Sequence, residues 1–343
     1  MALIGIGNSY SVDMDQLDIG ILTTGVRTTA TSTIYGVDVS GQTTFFQGSG
    51  ITYDALGIPN GGTITHIQEQ YLGTVVYDIT GFSIPATAFV SWAYADDTLA
   101  AKLAMLSGAD TVYGGPGDDL LRSYGGSDSL LGGFGDDTLD AGAGSDTVSG
   151  GAGNDVILAA GGGSTYLRGD DGNDSILGGS GFDDINGNKG NDTIDGGSGG
   201  GDWLVGGQGD DLIRAHAGQN ILYGNLGNDT LNAGSGGDLM RGGQGNDVLV
   251  GGAGNDWLSG DRGNDTISGG AGADTFHTFS GAGIDRVLDF HLSEGDRVQV
   301  DAGTVYTITQ VGADTVIDMT GGDQMILVGV QASALSGAWI FTV

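Results

Sequence analysis

The chain contains no cysteine, three prolines, two lysines (Lys102 and Lys189) and two glutamates (Glu69 and Glu294) among 343 residues. Without cysteine there is no disulfide and no thiolate metal or redox site. Three prolines and no strict three-residue glycine period exclude collagen. Ten basic residues against forty-three acidic ones leave a formal charge of −33. No basic patch is then available to displace counterions from phosphates, which excludes nucleic acid as a partner. No apolar run approaches the length of a membrane span. The opening MALIGIGNSYSVDMD has no basic n-region and only a short apolar stretch, so it does not read as a secretory signal peptide.

What is present is glycine and aspartate. The 71 glycines argue against a mostly helical domain, and the 38% hydrophobic content argues against disorder if those residues are regularly placed. Forty-one of the acidic residues are aspartate. Solvation alone would use both carboxylates, and glutamate also favours helices. The bias therefore places a carboxylate on a short stem, in turns.

The placement is periodic. From Gly108 to Phe276 the chain repeats Gly-Gly-x-Gly-x-Asp-x-U-x, where U is a large apolar residue; GGFGDDTLD (132–140) and GGQGNDVLV (242–250) are clear copies. The sixth position reads Asp110, Asp119, Asp128, Asp137, Asp146, Asp155, Ser164, Asp174, Asp183, Asp192, Asp202, Asp211, Asn220, Asp229, Asp238, Asp247, Asp256, Asp265 and Asp274. That makes nineteen slots with seventeen aspartates, stepping by nine except for tens at Ser164–Asp174 and Asp192–Asp202. Two residues after each slot lies an apolar residue, from Val112 through Tyr166 to Phe276.

Glycines permit left-handed turns and close approach of neighbouring turns. The three residues around U form a short strand with U inward. Each repeat is thus a turn plus a strand, and two repeats make one coil of a flattened right-handed parallel solenoid. Stacked coils place like residues about 4.8 Å apart, so the aspartates form two columns of like charge. Calcium, a hard ion with six to eight oxygen ligands, converts that repulsion into ligation.

The motif resembles the RTX (repeats-in-toxin) parallel β-roll. The resemblance implies calcium ions held between neighbouring coils by the seventeen slot aspartates and by glycine-turn carbonyls, with folding triggered by extracellular calcium. An ion that uses slots i and i+2 has thirteen all-aspartate pairs available, so a dozen or more ions are expected. The column from Asp119 to Asp265 is unbroken, whereas Ser164 and Asn220 interrupt the other.

Residues 1–106 read as a small β-rich domain, with a helix over 86–106 capping the open first coil. Residues 107–277 are the roll, and 278–343 form a β-rich C-terminal cap. In that last region Ile284–Phe290, Gly295–Val298 and Trp339–Val343 resemble the uncleaved C-terminal signal of type I secretion. This implies an extracellular or cell-surface location.

No catalytic constellation is expected. His66, His216, His277 and His291 are scattered and there is no HExxH. Gly196–Gly200 formally matches a nucleophile elbow but lies inside the repeat, and Arg168-Gly169-Asp170 falls at a repeat turn. The expected function is that of a non-enzymatic secreted structural protein which self-associates into a layer, matrix or filament. The alternative is an adhesin whose N-terminal domain recognises a cell-surface or glycan partner, and an enzyme or toxin with an N-terminal site stands behind both.

Overall fold

The structure is a computed structural model describing residues 108–114, 116–159 and 161–343, together with the backbone of six strands within residues 3–85. The helix expected over 86–106 lies outside the described residues. The chain divides into two compact units, Met1–Gly163 and Ser164–Val343.

In the first unit, Val26–Ala30, Ile34–Val39, Gln42–Tyr53, Pro59–Tyr71 and Thr74–Pro85 pair successively as an antiparallel meander, and Leu3–Ile6 adds to Thr74–Pro85. Leu3–Ile6 also pairs in parallel with Thr111–Tyr113, so the outer edge of the first coil is covered by a strand. From there the chain coils. Thr111–Tyr113, Ser129–Phe134 and Thr147–Ala152 stack in one parallel sheet. Leu120–Arg122, Thr138–Asp140 and Val156–Leu158 stack in a second. Partners are eighteen residues apart (Leu130↔Val148, Leu139↔Ile157), so two nonapeptides make one coil.

The second unit continues the same construction. One sheet runs Thr165–Asp171, Asp183–Lys189, Trp203–Gln208, Ile221–Leu226, Leu239–Gln244, Trp257–Arg262, Thr275–Thr278, Arg297–Val300 and Ile340–Thr342, all parallel. The other runs Ser175–Leu177, Thr193–Asp195, Leu212–Arg214, Thr230–Ser235, Val248–Ala253, Thr266–Ala271, Ile284–Val287 and Gln324–Leu327. It ends in two antiparallel strands, Asp314–Met319 and Tyr306–Val311. Parallel pairing therefore runs past the last nonapeptide, through Ile267↔Val287 and Phe276↔Val298.

The core is one apolar residue per repeat. Val112, Leu121, Leu130, Leu139, Val148 and Ile157 are buried in the first unit, and Ile176, Ile185, Ile194, Leu204 and their successors to Phe276 in the second. So thin a core binds each coil mainly to its neighbours.

The register differs from the expectation at one place. Tyr166 is exposed and Leu167 is fully buried, while Thr165, not Ser164, pairs with Asp183. The extra residue therefore precedes the slot instead of following it. Burial of the aliphatic Leu167, with the phenol of Tyr166 left in solvent, decides between the two frames. The other one-residue insertion appears as a nineteen-residue offset, Ile185↔Leu204 and Asp195↔Arg214.

Candidate metal centre: a ladder of buried carboxylates

Each slot aspartate sits at the start of a strand, immediately before it except for Asp183, which is its first residue, and the glycine turn delivers the short side chain beneath the preceding coil. One oxygen, Oδ1, accepts the backbone N–H of the slot residue in that coil. In the first unit the N–H groups of Asp110, Asp119, Asp128 and Asp137 donate to Asp128, Asp137, Asp146 and Asp155, each at 2.8 Å. In the second unit one column runs Asp174–Asp192–Asp211–Asp229–Asp247–Asp265 with 2.8 Å steps. The other runs Thr165–Asp183–Asp202–Asn220–Asp238–Asp256–Asp274 with steps of 2.7–3.0 Å. All these slot residues are buried.

The second oxygen is the informative one. Oδ2 of Asp137, Asp146, Asp192, Asp202, Asp211, Asp229, Asp238, Asp247, Asp256 and Asp274 is buried and accepts no hydrogen bond from the protein. Burying an anionic oxygen without a partner costs several kcal/mol unless a proton or a cation joins it. The titration directions follow. Burial, opposed by the ladder hydrogen bond, raises Asp192 and Asp229 to about 6. Asp137, Asp211 and Asp247 reach about 7, because burial is joined by the like charges of the slots above and below.

The glycine turns bring carbonyl oxygens close to Oδ2. A Cβ placed on Gly224 would collide with both Asp229 Oδ2 and the carbonyl oxygen of Gly242 in the next coil; one on Gly251 would meet Asp256 Oδ2 and Gly269 O, and one on Gly132 would meet Asp137 Oδ2 and Gly150 O. None of these three glycines has a positive φ, so it is room for oxygens, not backbone conformation, that requires glycine there. Among the described residues no three His, Asp or Glu side chains converge. Any ion must therefore combine carboxylate oxygens with turn carbonyls, the donor set of a hard cation such as calcium.

The seventeen expected aspartates all occupy the ladder, although Asp183 differs because its Oδ2 accepts the Gly179 N–H at 2.8 Å. Asn220 interrupts its column as a neutral amide, donating from Nδ2 to Asp238 Oδ1 at 3.1 Å. The second interruption is Thr165, whose hydroxyl donates to Asp183 Oδ1 at 2.7 Å.

Two members of the ladder escaped the nonapeptide frame. Asp265 N–H donates to Asp285 Oδ1 at 3.2 Å, and Asp274 N–H to Asp296 Oδ1 at 3.0 Å. Their signal was the Asp-x-Val of Asp285–Val287 and Asp296–Val298, displaced by twenty and twenty-two residues from the preceding slot of their column. Asp285, buried beside Asp265, is raised to about 8.

In the column that holds Asp192, Asp211, Asp229 and Asp247, the residue before the slot has a different task. Asn191, Asp210, Asn228 and Asn246 accept, through Oδ1, the N–H of the equivalent residue one coil later at 2.7–2.9 Å. These side chains satisfy exposed turn amides and lie outside the buried ladder. The Arg-Gly-Asp tripeptide is likewise absorbed by the coil: Arg168 lies over the Tyr166 ring and pairs with Asp184 at 2.8 Å, while Asp170 takes a left-handed φ of 77°. Gly196–Gly200 forms the turn between Thr193–Asp195 and Trp203–Gln208, in no strand-turn-helix setting. Of the histidines with described side chains, His216 pairs with Asp195 and His277 with Asp301, each at 2.9 Å.

Comparison with known proteins agrees with this geometry. The family model described as "RTX calcium-binding nonapeptide repeat (4 copies)" matches residues 106–166 in three overlapping stretches and 168–287 in six, more than half of the chain. The chain belongs to the RTX calcium-binding repeat family. No curated protein matches it. Among solved structures it is similar to the AlgE6R3 subunit of the Azotobacter vinelandii mannuronan C5-epimerase, with 33% identity over 33% of this chain and 77% of that one and a TM-score of 0.28. It is also similar to the extracellular lipase LipA of Serratia marcescens, with 14% identity over 99% and 85% of the two chains and a TM-score of 0.23.

Proposed function

We propose that the chain is a secreted, non-enzymatic structural protein that folds when it meets calcium outside the cell and then self-associates into a layer, matrix or filament. The observation that carries the first half is the ladder of buried Oδ2 atoms without a protein partner. Such a ladder is unfavourable for a charged, ion-free chain at neutral pH and favourable once divalent ions join it. The ligands would be Oδ2 of the slot aspartates with carbonyls such as those of Gly150, Gly242 and Gly269. The ion would supply charge neutralisation and cross-linking of successive coils. Export through the C-terminal region 278–343 fits this reading, because a chain that stays unfolded until it reaches calcium can be threaded outward.

Self-association is supported by one outward sheet surface in the second unit. Tyr166, Trp203, Tyr223 and Trp257 project from the same sheet, and Tyr166 and Trp203 are 46% and 43% exposed. Large aromatics exposed on a sheet face, here Tyr166 and Trp203, mark an interaction surface. Electron microscopy and light scattering of the pure chain, in calcium and in EGTA, test the proposal. Ordered polymers only in calcium support it. A monodisperse monomer in every condition overturns it.

A further inference from the structure

The second unit ends in an edge that natural sheets normally blunt. Tyr306–Val311 is the outermost strand of its sheet and, among the described residues, pairs only with Asp314–Met319. A free edge exposes a row of N–H and C=O groups, and proteins usually protect it with charge, proline or a bulge. Here the strand reads Tyr-Thr-Ile-Thr-Gln-Val, all but Gln310 β-branched or aromatic, with no charge and no proline. Its pairing with Asp314–Met319 is regular, without a bulge. Apolar side chains stand out along it: Val305 is 65% exposed, Ile308 41% and Val311 59%.

We infer that this strand is a contact between two copies of the chain, pairing antiparallel with itself across a two-fold axis at Ile308. The inference rests on the self-association proposed above and names one of its interfaces. Charge selects the occupant. In a chain of net −33, most surfaces brought against their own copies oppose carboxylate to carboxylate. The uncharged strand 306–311 meets its copy without that penalty. In this register Ile308 lies opposite its own copy, Val305 opposite Val311 and Thr307 opposite Thr309, β-branched pairings that stabilise sheets. Two neighbouring carboxylates are held by hydrogen bonds within their own chain: Asp318 accepts from Thr309 Oγ1 at 3.0 Å, and Asp314 accepts the Gly329 N–H at 2.8 Å. A two-fold contact of this kind closes on itself, so alone it gives a dimer, and an extended assembly needs a second surface.

Light scattering of the full chain in calcium, over a range of concentrations, tests this with Ile308→Lys and Val311→Lys, each checked for calcium-induced circular dichroism. The inference predicts an oligomer for the parent chain whose mass halves in both variants. An oligomer of unchanged mass in folded variants overturns the inference and leaves self-association standing. A parent chain monomeric at every concentration overturns both. Because the chain has no cysteine, Ile308→Cys, which stands opposite its own copy in this register, gives an independent reading should the lysine variants fail to fold. Oxidation must then yield an interchain dimer, and a product that stays monomeric overturns the inference.

Discussion

Substituting Asp211 separates the two roles of a slot aspartate, and the two effects have opposite signs. Its Oδ1 accepts the Asp192 N–H at 2.8 Å, its side chain is buried, and its Oδ2 has no protein partner. Burial foremost, then the charges of Asp229, Asp192 and Asp210, raises its pKa from 3.8 to about 7 against the ladder hydrogen bond. A folded-state pKa raised by about 3 units costs the ion-free fold about 4 kcal/mol above pH 7. Asp211→Asn removes that cost and keeps the ladder, since Asn220 already accepts the Asp202 N–H in this way at 3.0 Å. In EGTA at pH 8 the Asn variant should therefore fold at a lower trimethylamine-N-oxide concentration than the parent. In calcium it loses an anionic ligand, and at a free ion concentration well above about a thousand times the Kd that loss exceeds about 4 kcal/mol and outweighs the gain. Its urea midpoint should then fall. Asp211→Ala also strands the Asp192 N–H, which costs about 1–3 kcal/mol more. Asp210→Asn, on an exposed side chain whose Oδ1 accepts the Asn228 N–H, should change neither midpoint by more than about 0.5 kcal/mol. Circular dichroism reads both titrations. A loss in both media for Asp211→Asn, or equal effects from the two asparagine variants, would refute the reasoning.

The ion-free chain should gain β-structure on acidification. Asp137, Asp192, Asp211 and Asp247 are raised to about 6–7 by burial, so the fold binds more protons than the unfolded chain. Its stability is then fully present below about pH 4 and lost as pH rises through 6–7; a dichroism titration in EGTA showing the reverse slope would contradict this. Gly224→Ala places a methyl against Asp229 Oδ2 and Gly242 O, whereas Gly200→Ala meets nothing nearer than 3.5 Å. The first should lose bound calcium and about 1–3 kcal/mol of calcium-dependent stability, the second neither, by equilibrium dialysis and urea unfolding. Asn220→Asp should raise the calcium bound per chain by completing its column, and unchanged stoichiometry would remove Asn220 as a gap.

The roll was legible in the sequence because one physical constraint recurs every nine residues: a turn that only glycine permits, a carboxylate and an inward apolar residue. Local departures from the period were harder to read. At Ser164–Leu167 both frames offer a small polar residue followed two positions later by an apolar one, and only burial of Leu167 over Tyr166 separates them. Asp285 and Asp296 were hidden because the loops before them carry extra residues, although strand pairing brings them back beneath Asp265 and Asp274. The nine-residue pattern alone assigns no purpose to the Asn and Asp before the slots; only the structure shows their side chains accepting the turn amides of the following coil. The open edge at Tyr306–Val311 follows from which strand ends the sheet, a property of topology that no local pattern records.

The central claim is that the Oδ2 ladder is a column of calcium ligands. Anomalous difference maps from crystals of the calcium-loaded chain test it most directly. Peaks touching Oδ2 of Asp137, Asp211, Asp229 and Asp247, repeating at the coil spacing of about 4.8 Å and weakening beside Asn220, are the predicted result. A folded, calcium-bearing roll without peaks at these oxygens would contradict it.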